Sequence, residues 1–185
     1  MFKSQRAYQI FFALLLCTGL FASQPALAAS KQEIDVKVQV ALERFYKEVG
    51  GAKKFASIAE GILVFPNVIK AGFGIGGEYG EGALLIKGKT VEYYSTAAAS
   101  IGFQLGAQTK TMILVFTSKS ALEKFRNSDG WEAGVDGSVA LVDLGAGGTI
   151  DTSTIKDPIV AFVFGNKGLM YNLTLEGSKY SKLDK

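Results

Sequence analysis

The sequence predicts an α+β fold: a curved or barrel-like antiparallel β-sheet with N-terminal α-helices packed against it. Three observations lead there. Apolar residues recur at helical spacing near the start, in Ile34, Val38, Ala41, Leu42, Phe45 and Val49. From Gly72 onward, alternating and β-branched runs follow one another across short turns, which favours antiparallel neighbours because parallel ones need crossovers of a dozen or more residues. Glycine supplies 22 of 185 residues, well above the usual ~7%, and in strands such an excess marks bends and close sheet packing.

Taken in order, the first element is a helix from Glu33 to Glu48, ended by Gly50 and Gly51, although Ile34, Val36, Val38 and Val40 also alternate as a strand would. A short helix from Ala52 to Ala59 follows. Ile62 to Phe65 reads as a buried strand stopped by Pro66. Strands are expected at Gly72–Tyr79 and Ala83–Lys87, with a turn at Gly88-Lys89 into Thr90–Tyr94, then at Ala99–Gln108 and Thr111–Phe116. Ser118 caps a helix over Lys119–Phe125. Ala133–Val142 is a further strand and Gly145–Asp157 a polar loop. Ile159–Phe164, the turn Gly165–Gly168 and Leu169–Leu175 read as a hairpin.

One stretch stands apart. Gly72, Gly74, Gly76, Gly80 and Gly82 occupy alternate positions, interrupted only by Glu78, while Phe73, Ile75, Gly77, Tyr79 and Glu81 fall between them. At a strand's period of two, one face is nearly bare backbone, open to close approach by another backbone or by a ligand.

The chain opens with Lys3 and Arg6, an apolar run from Ile10 to Ala22, and small residues at Ala26 and Ala28. This is the layout of a secretory signal peptide over residues 1–28, cleaved near Ala28, and the apolar run is shorter than the ~20 residues of a membrane span. The mature protein is then periplasmic or secreted, with an outer-membrane association allowed. Residues 29–185 form a single domain. Bulky Leu16 before Cys17 disfavours lipidation there, and no cysteine follows, so no disulfide is available. Loss of Lys3 and Arg6 brings the +3 of the full chain to +1, and nothing argues for nucleic acid.

There is no histidine, and the mature chain has no cysteine, so the common transition-metal sites and His-assisted nucleophiles are excluded. Glu78 and Glu81 are three apart in a strand and fall on opposite faces, which reads as a solvated pair instead of an acid–base couple. Gly72, Gly74 and Gly77 satisfy G-x-G-x-x-G, but more strand follows where a dinucleotide site needs a helix N-terminus. No enzyme, cofactor or metal is expected.

After the helical lead, the blocks Gly61–Pro66, Lys70–Phe73, Gly76-Gly77, Gly80–Gly82 and Ile101–Gln108 (IGFQLGAQ), with Ala121–Phe125 and Leu175–Gly177, occur in an order that resembles the SYLF domain of the Ysc84-like family. Length and lack of appended modules resemble its stand-alone bacterial form. The resemblance implies phospholipid binding, of phosphoinositides in eukaryotic relatives, some of which bind actin. For an exported bacterial protein, actin is not the expected partner and an anionic phospholipid membrane is. The residues assigned to such a site are Lys53, Lys54, Lys70, Gly72, Phe73, Gly74, Gly76, Gly77, Lys37, Arg44 and Lys47. Lys37, Arg44 and Lys47 lie within about a quarter-turn of one another on a helix. An anionic head group needs such charged donors together with backbone amides, and its acyl chains need apolar surface. Glu33, Glu43 and Glu48, interleaved with the cations, equally suit a solvated helix face. Phe45, Tyr46 and Phe55 read as core, and Gln104 and Gln108 as members of a buried network. The alternatives are a soluble periplasmic carrier of a small apolar ligand and an integral outer-membrane β-barrel.

Overall fold

A computed structural model describes residues 29–143, 157–168, 175 and 177–185. The proposed leader with Cys17, most of the 145–157 loop and the 169–174 strand lie outside the described residues. Helix α1 spans Lys31–Glu48 and begins at Ser30, whose hydroxyl accepts the Glu33 N–H at 3.2 Å. Helix α2 spans Ala52–Ile58, after Gly51 has turned the chain with φ 89°. Two long strands follow, β1 at Gly61–Ile86 and β2 at Lys89–Phe116. Helix α3 is Lys119–Arg126; its leading Ser118 makes no side-chain cap and instead shares a hydrogen bond with the Ser120 hydroxyl. Strands β3 (Trp131–Glu132), β4 (Ala140–Asp143), β5 (Ile159–Gly168) and β6 (Lys179–Leu183) complete the described elements.

The α+β, curved-sheet expectation is met. β2 is the spine: β1 pairs antiparallel along it, β6 joins at Tyr93–Ala97, and β5 joins at Gln108–Phe116. One pairing is parallel, β4 on β5. The connection from Asp143 to Ile159 has the length a parallel crossover requires.

Several boundaries move for identifiable reasons. Pro66 does not stop its strand. Among the described residues β1 pairs only with β2, so its other edge has no described ladder to lose, and the register shift between Phe65 and Val68 takes Pro66 out of the pairing. The Thr111 hydroxyl donates to the Pro66 carbonyl at 3.0 Å, pinning the bulge. The tight turn sits at Lys87-Gly88, with φ 51° and 75°, one residue earlier than expected, because a two-residue hairpin loop wants positive φ at both centres. The segment expected as a turn at Gly165–Gly168 remains strand, with Lys167 opposite Thr109 and Gly168 opposite Gln108. Expected strand Ala133–Val142 keeps only Ala140 onward in a named strand.

Two cores lie on the two faces of the sheet. On the outer face, α1 and α2 bring Ile34, Val38, Phe45 and Phe55 against Val64, Ile113 and Phe162, with Phe45 and Phe162 ring centres 5.0 Å apart. On the inner, concave face, Phe65, Leu84, Met112 and Phe116 pack with Phe125, Trp131 and Tyr180. Glu92 ties the rim together by accepting from Arg126, Lys182 and Tyr94. Burial raises its carboxyl, but the hydrogen bonds from those three residues outweigh it and hold the pKa at about 2.

Candidate functional site

The curl of β1 decides what its glycines do. A Cβ added at Gly82 would lie 2.0 Å from the Val64 carbonyl, and one at Gly80 would lie 3.0 Å from the Asn67 carbonyl. The strand's later half therefore presses backbone to backbone against its own beginning. At Gly72 a Cβ would meet the Gly76 Cα at 2.4 Å, where the register slips between Phe73 and Ile75 and the ribbon bends. Of the two occupants that a bare flank admits, the chain's own backbone fills it at Gly80 and Gly82. Gly76 is half-buried, and Gly77 is exposed on the outer face. Phe73 and Gly74 are described as backbone positions of β1 only.

Lys70 belongs to this inward face, with 5% of its surface exposed. Around it the curl gathers a polar interior that sequence reasoning reached only at Gln108. The Lys110 ammonium lies 2.8 Å from Glu78 Oε2, with side chains 2% and 6% exposed. Glu78 was read as solvated; its opposition to Glu81 is correct, but its face is the inner one. Among the described residues, Glu78 Oε1, Thr96 Oγ1, Gln108 Oε1 and Ser178 Oγ are buried without hydrogen-bond partners. Burial, with the Glu78 charge adding to it, pushes the neighbouring Tyr180 phenol well above its usual range. The available signal was alternation: Lys70, Glu78, Gln108 and Lys110 each share parity with residues of the concave core.

The accessible chemistry lies on the opposite face. Where α1 crosses the β1 bulge, two adjoining clefts share Lys37, Pro66 and Asn67. The larger, about 380 Å³, is walled by Ile34, Ile69, Tyr79 and Glu81; the smaller, about 170 Å³, by Val36, Val40 and Arg44. Their rims carry large apolar side chains in solvent: Val36 at 60% exposure, Val40 at 53%, Ile69 at 55% and Tyr79 at 51%. Lys37 pairs with Glu33 at 2.6 Å and Arg44 with Glu48 at 3.1 Å, both pairs solvent-exposed. The Lys37 hydrogen bond lowers the Glu33 carboxyl pKa. Arg44 also lies over the Phe164 ring, 5.6 Å from its centre. Lys47, Lys53 and Lys54 are exposed. The structure thus places Lys37 and Arg44 at one pair of clefts and Lys70 on the other side of the sheet. Phe45 and Phe55 are core, as expected, and Gln108 is buried.

Residues 97–185 match the model of the Ysc84 family, described as Las17-binding protein actin regulator. This C-terminal segment, just under half of the chain, is similar to that family. It contains the second part of the spine strand β2 and the β4, β5 and β6 strands that pair around it, whereas α1, β1 and most of the cleft walls precede it. No curated protein matches the chain. Among the described residues no helix is long and apolar enough to cross a membrane, and no cluster of His, Cys, Asp and Glu is arranged to hold a metal.

Proposed function

We propose that this protein is a non-enzymatic, exported binding domain that associates peripherally with anionic phospholipid membranes. The observation that carries the proposal is the rim of solvent-exposed Val36, Val40, Ile69 and Tyr79 beside Lys37 and Arg44 at the α1–β1 clefts. Apolar side chains of this kind favour the acyl boundary of a bilayer, and cations beside them favour its anionic head groups. The glycine flank is not part of this surface. The family description names a Las17-binding actin regulator, yet an exported bacterial chain would not meet actin in its own cell. An integral barrel fits less well, because the outer face that would meet lipid is covered by α1 and α2 at Val64, Ile113 and Phe162. The 380 Å³ cleft is of a size that takes a small ligand, which supports a carrier as the second reading.

Co-sedimentation of the mature chain with vesicles tests the proposal. Binding is expected to anionic vesicles at low salt and to fall as salt rises. Replacing Lys37 and Arg44 together by glutamine removes about 1 kcal/mol per charge, about 30-fold in affinity, with little change in stability. Equal and negligible sedimentation with anionic and zwitterionic vesicles would reject membrane binding. Co-sedimentation with actin filaments instead would redirect the partner assignment, and a retained guest seen by native mass spectrometry would favour the carrier.

A further inference from the structure

The first described residue, Ala29, lines the larger cleft together with Glu81. Its backbone nitrogen donates to Glu81 Oε2 at 3.2 Å. The same oxygen receives Lys185 Nζ at 3.1 Å, Oε1 receives the Tyr79 hydroxyl at 2.9 Å, and Lys185 Nζ also donates to the Ala29 carbonyl. The Lys185 and Glu81 side chains are 10% and 12% exposed, so charges here are only weakly screened. We propose that Glu81 is the docking site for the α-ammonium group that removal of residues 1–28 creates, so that processing itself locks α1 onto β1 and completes the cleft. This rests on the export reading above.

Hydrolysis of the Ala28–Ala29 peptide bond by an export peptidase consumes one water. The carboxylate leaves on Ala28, and the new amine on Ala29 takes up a proton at neutral pH. In the uncleaved chain the Ala29 nitrogen is a neutral amide with a single hydrogen. After cleavage the same atom carries three donors and a positive charge, already at hydrogen-bond distance from a carboxylate, and charge-assisted bonds are roughly twice as strong as neutral ones. The surrounding charges suit this addition. Glu33 and Lys37 neutralise each other on the cleft wall, so the ammonium and Lys185 share the Glu81 carboxylate as their common anion. Position matters as much as charge. Ala29 immediately precedes the Ser30 cap, so anchoring it fixes the first turn of α1, whose Ile34 and Lys37 line the cleft.

The test begins with the intact mass of the exported protein, expected to correspond to residues 29–185. Four purified chains then form a cycle: a chain starting at Ala29 and one carrying Gly-Ser ahead of Ala29, each with Glu81 or with Glu81→Gln. The substitution breaks the Lys185 and Tyr79 contacts in both backgrounds, so those effects cancel and the difference isolates the terminal ammonium. Glu81→Gln is expected to lower the thermal midpoint by about 3 °C more in the chain starting at Ala29. The NMR titration midpoint of its α-amino group should also fall, with Lys185, Glu33, Lys37 and Tyr79 unchanged around it. Equal midpoint losses in the two backgrounds, with an unmoved titration, would overturn the docking site and leave export standing. A mass beginning elsewhere than Ala29 would overturn the processing step itself.

Discussion

The two faces of β1 differ more than its sequence of alternating glycines suggests. The inner face carries Glu78, Gly80 and Gly82 and is closed by the strand's own backbone and by Lys110. The outer face carries Ile69, Ile75, Gly77 and Tyr79 and is open, with Ile75 74% exposed. Residues one position apart therefore serve opposite ends: one set holds the curl together, and the other offers surface to a partner. Glycine in such a ribbon marks close approach only where the curvature turns it inward.

The largest test of this contrast is Gly82→Ala. With its Cβ 2.0 Å from the Val64 carbonyl, the variant has no flexible side-chain end to displace, and backbone must move. A loss of about 4 kcal/mol is expected, large against the 5–15 kcal/mol that holds a typical domain. Gly80→Ala, at 3.0 Å from the Asn67 carbonyl, should lose less, about 1–2 kcal/mol. Urea denaturation orders the three proteins. A Gly82→Ala midpoint equal to that of the parent would mean that the two halves of β1 are not in contact.

Next in size is the buried ion pair. Lys110→Met leaves the Glu78 carboxylate inside without its partner, at a cost of about 3–5 kcal/mol. Adding Glu78→Leu removes the stranded charge and should recover at least half of that loss in the same denaturation experiment. If the single variant is as stable as the double one, then Glu78 reaches water, and the inner face is not sealed as described.

Local patterns carried much of this fold, and long-range closure little of it. Spacing placed α1 to within two residues at its start, because Ile34, Val38 and Phe45 needed only a core beneath them, wherever it came from. The same reasoning stopped a strand at Pro66, since it could not know that among the described residues β1 pairs on one side only, so that a missing N–H on its other side is tolerated. Lys37, Arg44 and Lys70 carry the same kind of charge, and nothing local separates the first two, at exposed clefts, from the third, inside the curl. That distinction depends on β2 bringing Lys110 and Gln108 to the same concave face as Lys70, some 40 residues away in sequence. The Ala29–Glu81 contact was invisible for the same reason, as it joins a helix cap to the far half of a bent strand.

The smallest expected effect is the most discriminating. Gly77 belongs to the same glycine run but lies at an outward position, where a Cβ would approach nothing nearer than the Ala98 carbonyl at 3.9 Å. Its φ is not among the positive values, so alanine adopts the backbone without strain. Gly77→Ala should consequently be neutral or stabilise by about 0.5 kcal/mol, through a less flexible unfolded chain. Because Gly77 and Gly82 differ in facing and not in residue type, a penalty at Gly77 comparable to that at Gly82 would show that the run is constrained as a whole. The division of β1 into a closed and an open face would then not hold, and the surface proposed for membrane contact would lose the strand that frames it.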